Sequence, residues 1–273
     1  MVDHDIIQAI NRSLTSGALM PQLTFPILLI LFAGGFLAGF VDSIAGGGGI
    51  ISLPVLLSVG LPPHFALGTN KFQSSFGSLT ASINYARGGL VKVKELGWGI
   101  LFTAIGAAIG TIAIQLLSQT LLQYLIPILL LVVFLIVLFS KNLGIKDQKE
   151  KLSPKLFYLI FGLIIGFYDG FFGPGTGNFW MLAFVFFLGF NLKKATAHTK
   201  WVNFTSNIVA LIFFAIGGKI LVIPGLVMAA GQLSGAFLGS KLVLRSSVKF
   251  IRIFFLLVTG ATILRLLYTT FFP

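Results

Sequence analysis

Two aspartates and two lysines stand out because they lie within long apolar stretches and recur at nearly the same spacing. Asp42 and Asp169 are 127 residues apart, and Lys71 and Lys200 are 129 residues apart. A charge at the centre of a bilayer costs roughly 2.5–3.5 kcal/mol even on lenient insertion scales, so such residues are paired or face a wet cavity. These four side chains could therefore bind a charged ligand, carry a proton or pair with one another.

Glycine runs follow both aspartates. The sequence "DSIAGGGG" covers residues 42–49, and "GFYDGFFGPGTG" covers residues 166–177. Glycine costs about 1 kcal/mol relative to alanine in a helix, and unwound backbone at membrane depth is tolerated only where protein or water covers it. A helix that restarts after such a break presents unpaired N–H groups, which favour an anion. We expect the two breaks to meet, unless the glycines serve only close helix packing.

Neutral polar side chains accompany each lysine. Lys71 and Ser75 fall on one helical face, as do Lys200 and Asn203. We predict an oxyanion site whose members supply positive charge, backbone N–H groups or side-chain donors. They are Gly46, Gly47, Gly48, Gly49, Asn70, Lys71, Ser75, Gly175, Thr176, Gly177, Asn178, Thr199, Lys200 and Asn203. The alternative for the lysines is that they extend to the membrane interface.

The aspartates and one histidine have two open interpretations. Asp42 and Asp169 either carry a coupling ion, H⁺ or Na⁺, or they pair with a lysine and accept hydrogen bonds at the breaks. His198 either relays protons or is a satisfied interfacial histidine. The sequence shows no metal-ligand spacing, nucleophile motif or phosphate loop. We therefore predict no metal, no cofactor beyond a coupling ion, and no enzymatic activity.

The composition is that of an integral membrane protein. Of 273 residues, 56% are hydrophobic and 10% are charged, and the mean hydropathy is +1.00, whereas soluble domains carry about 25% charged residues. The net charge of +12 lies mostly in short loops between apolar runs, which indicates membrane topology and not nucleic-acid binding. We expect a lipid bilayer and a small anion as partners, and the oligomeric state stays open.

The apolar pattern predicts an all-α polytopic protein built from two repeats. The predicted units are an interfacial N-terminal segment at 1–22, a first repeat at 23–140, a cytoplasmic basic linker at 141–155 and a second repeat at 156–273. Each repeat has five segments, which gives 8–10 membrane segments in total, depending on whether the two short ones are counted. Those at 50–59 and 179–190 are too short to span a bilayer core of about 20 helical residues. They are predicted to be half-helices that follow the glycine breaks.

The basic loops predict the orientation of the repeats. Loops at 87–94, 141–155, 193–194 and 241–252 are rich in lysine and arginine, so they are assigned to the cytoplasm. Five segments per half then place both termini outside and turn the two halves in opposite directions. Such inverted repeats are common in secondary transporters.

The paired blocks "GFVDSIAGGGG…LGTNK" and "GFYDGFFGPGTG…AHTK" resemble the sulfite exporter TauE/SafE family, also called the toluene sulfonate uptake permease family. The resemblance covers roughly residues 23–267. It implies a bacterial or archaeal inner-membrane carrier for sulfite, sulfonates or related small anions. It draws attention to the aspartates, the glycine breaks and the segments that end at Lys71 and Lys200.

Three functional hypotheses follow. The first is a secondary transporter that moves a small sulfur-containing or organic anion through a midplane site between the breaks, by alternating access. The second is a proton- or cation-coupled carrier in which the aspartates form the ion site. The third is a membrane-embedded protein that does not transport.

Overall fold

The computed structural model describes residues 23–118, 120–122, 146–247, 250 and 253. The predicted interfacial segment at 1–22, the first part of the basic linker and nearly all of the fifth segment of each repeat lie outside the described residues. Within these ranges the chain is helical and contains no strand, which confirms the predicted fold class.

Eight helices position the site. In the first half they are α1 (Phe25–Ala45), α2 (Gly48–Ser58), α3 (Pro63–Arg87) and α4 (Gly97–Gln115, preceded by a 3₁₀ turn at Val93–Leu96). In the second half they are α5 (Pro154–Phe171, with one π-helical turn), α6 (Thr176–Phe187), α7 (Leu192–Ile216) and α8 (Val222–Arg245).

Local signals explain several helix boundaries. Pro63 lies in the first turn of α3, where its missing N–H costs nothing. The Asn191 side chain caps α7 by accepting a hydrogen bond from the Lys194 N–H. The short helices α2 and α6 begin two and three residues earlier than the apolar runs predicted, because glycine and threonine form their first turns.

The helix lengths suit a multi-pass membrane protein. Within the described residues, α1, α5, α7, α8 and the segment Val93–Gln115 are long and apolar enough to cross a bilayer. The helices α2 and α6 have 11 and 12 residues, as predicted for half-helices. Helix α3 has 25 residues but is too polar to count as an apolar span. Its polar residues are mostly buried within the protein.

The contacts between helices are duplicated. Helix α1 packs along α8, and its counterpart α5 packs along α4. Helix α3 contacts α8 and α7, and α7 in turn contacts α4 and α3. Each contact of the first half therefore has an equivalent in the second, with α3 and α7 side by side between the halves. The inverted orientation of the halves stays a prediction.

Glycines at four-residue spacing let the paired helices approach closely. A Cβ atom on Gly35 would lie 2.2 Å from the Met228 carbonyl oxygen, and one on Gly231 would lie 2.1 Å from that of Phe32. The α4–α5 pair repeats this arrangement, since a Cβ on Gly106 would lie 2.4 Å from the Leu163 carbonyl oxygen. Small residues at such contacts are the usual means of membrane helix association.

One pair of substitutions on α4 tests this packing. A Cβ on Gly110 would lie 2.1 Å from the Phe167 carbonyl oxygen, whereas Gly97 has no other atom within 4 Å of that position. Gly110→Ala is expected to destabilise the protein by about 1–3 kcal/mol through overpacking. Gly97→Ala should be neutral or stabilising by up to about 1 kcal/mol. Thermal unfolding in detergent measures both, and equal melting temperatures would contradict the glycine contact.

Candidate functional site

The two glycine runs break the helices as the sequence predicts. Helix α1 ends at Ala45, where Gly46 has φ +80°, and α2 begins at Gly48. In the second half Gly173 and Gly175 have φ values of +98° and +82°, directly before α6. Glycine adopts this left-handed backbone without the steric cost that other residues incur.

The two breaks contact each other, which confirms the expectation that they meet. A Cβ on Gly46 would lie 2.6 Å from the Gly177 carbonyl carbon, and a Cβ on Gly177 would lie 2.4 Å from the Gly46 carbonyl oxygen. A Cβ on Gly49 would lie 3.0 Å from Pro174 Cα. The backbones therefore touch with no room for side chains, and glycine is needed for this contact.

The four buried charges form two ion pairs that cross between the halves. Lys200 on α7 contacts Asp42 on α1, with 2.9 Å between Nζ and Oδ2. Lys71 on α3 contacts Asp169 on α5, with 2.5 Å between Nζ and Oδ1. Each lysine is thus paired with the aspartate of the other half. Both aspartates are therefore paired with a lysine in this structure. Neither lysine extends to the membrane interface, since the exposed fraction is 1% for Lys71 and 0% for Lys200.

Further hydrogen bonds fix the charges and the breaks. The Lys71 ammonium also donates to the Asp169 main-chain carbonyl, and the Ser206 hydroxyl donates to Asp169 Oδ2. The Gly48 N–H donates to Asp42 Oδ1 at 3.2 Å. A Cβ on Gly173 would lie 2.6 Å from Lys71 Nζ. The glycine there lets the ammonium group pass close to the second break.

A small polar cavity of about 30 Å³ lies between the breaks and the ion pairs. On the usual scale this is the space of a few water molecules. Its lining side chains are polar or charged, apart from glycine. The lining residues are Asp42, Gly46, Gly49, Asn70, Lys71, Ser74, Asp169, Gly173, Gly175, Thr176, Gly177, Asn203 and Asn207.

Most of the predicted site residues line this cavity or lie directly behind it. Lys200 is covered by Asp42, and the Ser75 hydroxyl donates to the Lys71 carbonyl at 2.8 Å. Asn178 and Thr199 are buried, and Gly47 and Gly48 form the turn into α2. The predicted site residues that do not line the cavity are therefore Gly47, Gly48, Ser75, Asn178, Thr199 and Lys200.

His198 lies apart from the cavity. Its ring packs against Phe184 and Phe190, with centroid distances of 5.7 and 4.7 Å, and its Nδ1 is 2.9 Å from the Lys194 carbonyl oxygen. This environment is that of a histidine in a satisfied core position. The proton-relay role is not supported by a contact with either ion pair.

Several cavity or pair residues were not among the predicted site residues. They are Ser74, Ser206 and Asn207, together with Gly173, which belongs to the predicted second break but was not among the predicted donors. The 129-residue offset that relates the two lysines also relates Asn203 to Ser74, so the repeat itself contained this signal. Asn207 lies one helical turn beyond Asn203. Ser206 has no such signal, because its role depends on how α7 packs against α5.

In the part of the chain that the structure describes, one buried polar atom at the cavity has no hydrogen-bond partner. Asn203 is 5% exposed and lines the cavity, and its side-chain oxygen accepts no hydrogen bond. Buried polar atoms are normally satisfied. An unpartnered acceptor beside a polar cavity is typical of a site that binds a ligand carrying a hydrogen-bond donor, or of one that holds water.

Broken helices, buried charges and a central polar cavity together define a polytopic membrane transporter. The family model described as "Sulfite exporter TauE/SafE" matches residues 31–266. The chain belongs to this family of membrane transporters.

Curated relatives agree with this assignment. A "Probable membrane transporter protein" of Haemophilus influenzae is 44% identical over 226 residues, which cover 83% of this chain and 89% of the relative. "Probable membrane transporter protein ORF9" of a Sinorhizobium species is 44% identical, with 91% and 95% covered. "Probable membrane transporter protein YfcA" of Escherichia coli K12 is 43% identical, with 89% and 91% covered. No solved structure matches the chain.

Proposed function

We propose that this protein is a secondary transporter for a small sulfur-containing or organic anion, with sulfite as the first candidate. The anion would bind in the cavity between the two helix breaks, and alternating access would expose the cavity to each side in turn. The observation that carries the proposal is the position of this cavity. It is bounded by both breaks and by the members of both ion pairs, apart from the fully covered Lys200.

The chemistry of the lining supports a compact hydrophilic ion. Among the described residues that line the cavity, none has an aliphatic or aromatic side chain. An organic anion with a long hydrocarbon part would therefore leave apolar surface against charged and amide groups. Asn70, Asn203 and Asn207 offer amide groups, and Lys71 offers an ammonium group, which together suit an oxyanion.

The size of the cavity supports a mechanism with a conformational change. The cavity of about 30 Å³ has room for a few water molecules, and we infer that the surrounding helices move to let an oxyanion enter from either side. Substrate access requires α1 and α5 to move relative to α3 and α7. These are the elements that the crossed ion pairs connect, and exchange of these pairs is therefore the proposed link between substrate binding and access.

The proposed location is a bacterial or archaeal cytoplasmic membrane with both termini outside. The relatives named above come from bacteria. The sidedness rests on the basic loops alone.

Counterflow into proteoliposomes tests the proposed function. Liposomes preloaded with sulfite, sulfate or methanesulfonate are expected to accumulate the radiolabelled anion only when the protein is present. Lys200→Gln is expected to reduce sulfite counterflow by roughly tenfold or more, because removing one partner of a buried charge pair typically costs 2–5 kcal/mol. Lys92→Gln is the matched control, since the Lys92 side chain is 83% exposed and, among the described residues, forms its ion pair with Glu95 at the surface.

The same assay separates the alternatives. Flux that depends on H⁺ or Na⁺ but on no anion would favour the cation carrier with an aspartate ion site. Absence of counterflow for all three anions, with a folded protein, would refute the anion transporter. Equal counterflow in Lys200→Gln and Lys92→Gln would refute the role of the lysine.

A further inference from the structure

The two crossed ion pairs differ in how firmly they are held. The Asp169 carboxylate accepts from Lys71 at one oxygen and from Ser206 at the other. The Lys71 ammonium also donates to the Asp169 backbone carbonyl, and the two side chains are only 2% and 4% exposed. This pair is therefore almost fully enclosed, and it connects α3, α5 and α7 as a brace.

The Asp42–Lys200 pair is more open on its aspartate side. The Asp42 side chain is 16% exposed and lines the cavity, whereas the Lys200 side chain is 0% exposed behind it. Asp42 accepts from Lys200 and, at 3.2 Å, from the Gly48 N–H. Each oxygen of both carboxylates accepts a hydrogen bond, so the two pairs differ in the greater exposure of the Asp42 side chain, 16% against 4% for Asp169.

We propose that Asp42 takes up a coupling proton and that its protonation admits the substrate anion, so that H⁺ and anion are carried together. The inference rests on the proposed anion transport. With both pairs intact the four charges sum to zero, and an added anion would be uncompensated. Protonation of Asp42 leaves the buried Lys200 ammonium without a counter-charge, which is strongly unfavourable. An anion in the cavity restores the balance.

The proton and the anion enter together from one side of the membrane and leave together on the other. The proton comes from water on the side to which the cavity is open, and it binds one Asp42 carboxylate oxygen. On the other side the anion leaves, the proton returns to water, and Asp42 pairs again with Lys200. Net transport therefore moves one proton with each anion, and Asp169 stays ionised throughout.

A proton fits this position better than a metal cation. Lys200 Nζ lies 2.9 Å from Asp42 Oδ2, so the ammonium group occupies the space beside this oxygen that a bound sodium ion would have to take. A proton instead neutralises the carboxylate through a covalent O–H bond.

The other groups around Asp42 can be named element by element. Lys71 and Asp169 line the same cavity, from α3 and α5, and the Tyr85 hydroxyl on α3 donates to the neighbouring Ser43 carbonyl. Helices α2 and α6 have no titratable side chain. The charged residues of α8 are Lys241 and Arg245, in its last turns, and Lys241 lies over the Phe237 ring.

Asp42→Asn and Asp169→Asn form a matched pair of variants that tests the inference. Both go into proteoliposomes, where radiolabelled sulfite is followed together with a lumenal pH-sensitive dye, and protein-free liposomes correct for SO₂ permeation. The wild type is expected to move protons with sulfite and to accumulate it against its gradient when a proton gradient is applied. Asp42→Asn should lose proton-coupled net flux but still exchange sulfite for sulfite. Asp169→Asn should lose exchange and net flux together.

The pH dependence gives a second readout. Sulfite itself ionises near neutrality, and this changes the apparent affinity of the wild type and of Asp42→Asn by the same factor. The ratio of the wild-type apparent affinity for sulfite to that of Asp42→Asn is therefore free of this effect. That ratio is expected to fall about tenfold for each unit by which the pH rises, over the range in which Asp42 is ionised. Asp42→Glu, which keeps a carboxylate, should retain the coupling, and the sulfite exchange that Asp42→Asn retains shows that its loss of coupling does not come from misfolding.

The outcomes are distinguishable. Proton-coupled accumulation in Asp42→Asn, a pH-independent affinity ratio, or the uncoupled behaviour in Asp169→Asn would each overturn the inference while leaving anion transport intact. Dependence on Na⁺ in place of H⁺ would overturn the choice of ion. Failure of the wild type to exchange sulfite, sulfate or methanesulfonate would refute the proposed function, and the inference with it.

Discussion

Asp169→Leu is expected to lower the free energy of unfolding by about 3–5 kcal/mol, because it leaves Lys71 buried without its counter-charge. Lys71 is 1% exposed, and Asp169 supplies both the carboxylate and the carbonyl oxygen to which its ammonium group donates. The double variant Lys71→Met/Asp169→Leu should regain most of this stability, since an apolar pair of similar volume is often neutral or better. Thermal or denaturant unfolding in detergent measures the complete double-mutant cycle.

A surface ion pair provides the control for this cycle. Lys92 and Glu95 lie 3.6 Å apart with side chains 83% and 61% exposed, and such exposed pairs contribute about 0–1 kcal/mol. Glu95→Gln should therefore change stability very little. If Asp169→Leu were as mild as Glu95→Gln, the Lys71–Asp169 pair would not be the brace described above.

The double variant Lys71→Met/Asp169→Leu should stay inactive in counterflow even where it is stable.

Gly46→Ala is expected to abolish transport and to destabilise the fold. A left-handed backbone conformation costs roughly 1–2 kcal/mol for a residue other than glycine, and Gly46 has φ +80°. Its new Cβ would also lie 2.6 Å from the Gly177 carbonyl carbon. Because that neighbour is backbone and not a flexible side chain, the two breaks must separate, and the cavity between them changes shape. Sulfite counterflow and the melting temperature measure the two effects.

The adjacent glycine is the matched control. Gly47 has φ −108°, and the nearest atoms to its added Cβ are at 3.9 and 4.0 Å. Gly47→Ala should therefore keep both fold and transport. Similar losses in the two variants would mean that the glycine run matters for flexibility or propensity and not for the contact between the breaks.

Much of the architecture follows from the sequence because it depends on local physics. The breaks after Asp42 and Asp169 follow from glycine's poor helix propensity and its freedom at positive φ. The short α2 and α6 follow from the lengths of their apolar runs. The burial of all four charges in one region follows from the cost of charge in lipid together with the repeat.

The choice of partner could not be predicted in this way. Asp42 is closer along the chain to Lys71 than to Lys200, yet it pairs with Lys200. The crossing depends on how α3 and α7 lie between the halves, which is a property of tertiary packing. The unequal exposure of the two carboxylates, 16% for Asp42 and 4% for Asp169, is likewise a property of the folded protein.

The central claim is that the anion binds in the cavity between the breaks, and one binding measurement tests it most directly. Ser74 lines the cavity without taking part in either ion pair, so Ser74→Leu fills the space and leaves the four charges intact. Ser234→Leu is the control, because Ser234 is exposed on α8 and its hydroxyl donates to the Ala230 carbonyl of its own helix. Binding of radiolabelled sulfite to purified protein, followed by scintillation proximity, is expected for the wild type and Ser234→Leu and lost in Ser74→Leu. Equal sulfite binding by stable Ser74→Leu and Ser234→Leu would contradict the location of the site.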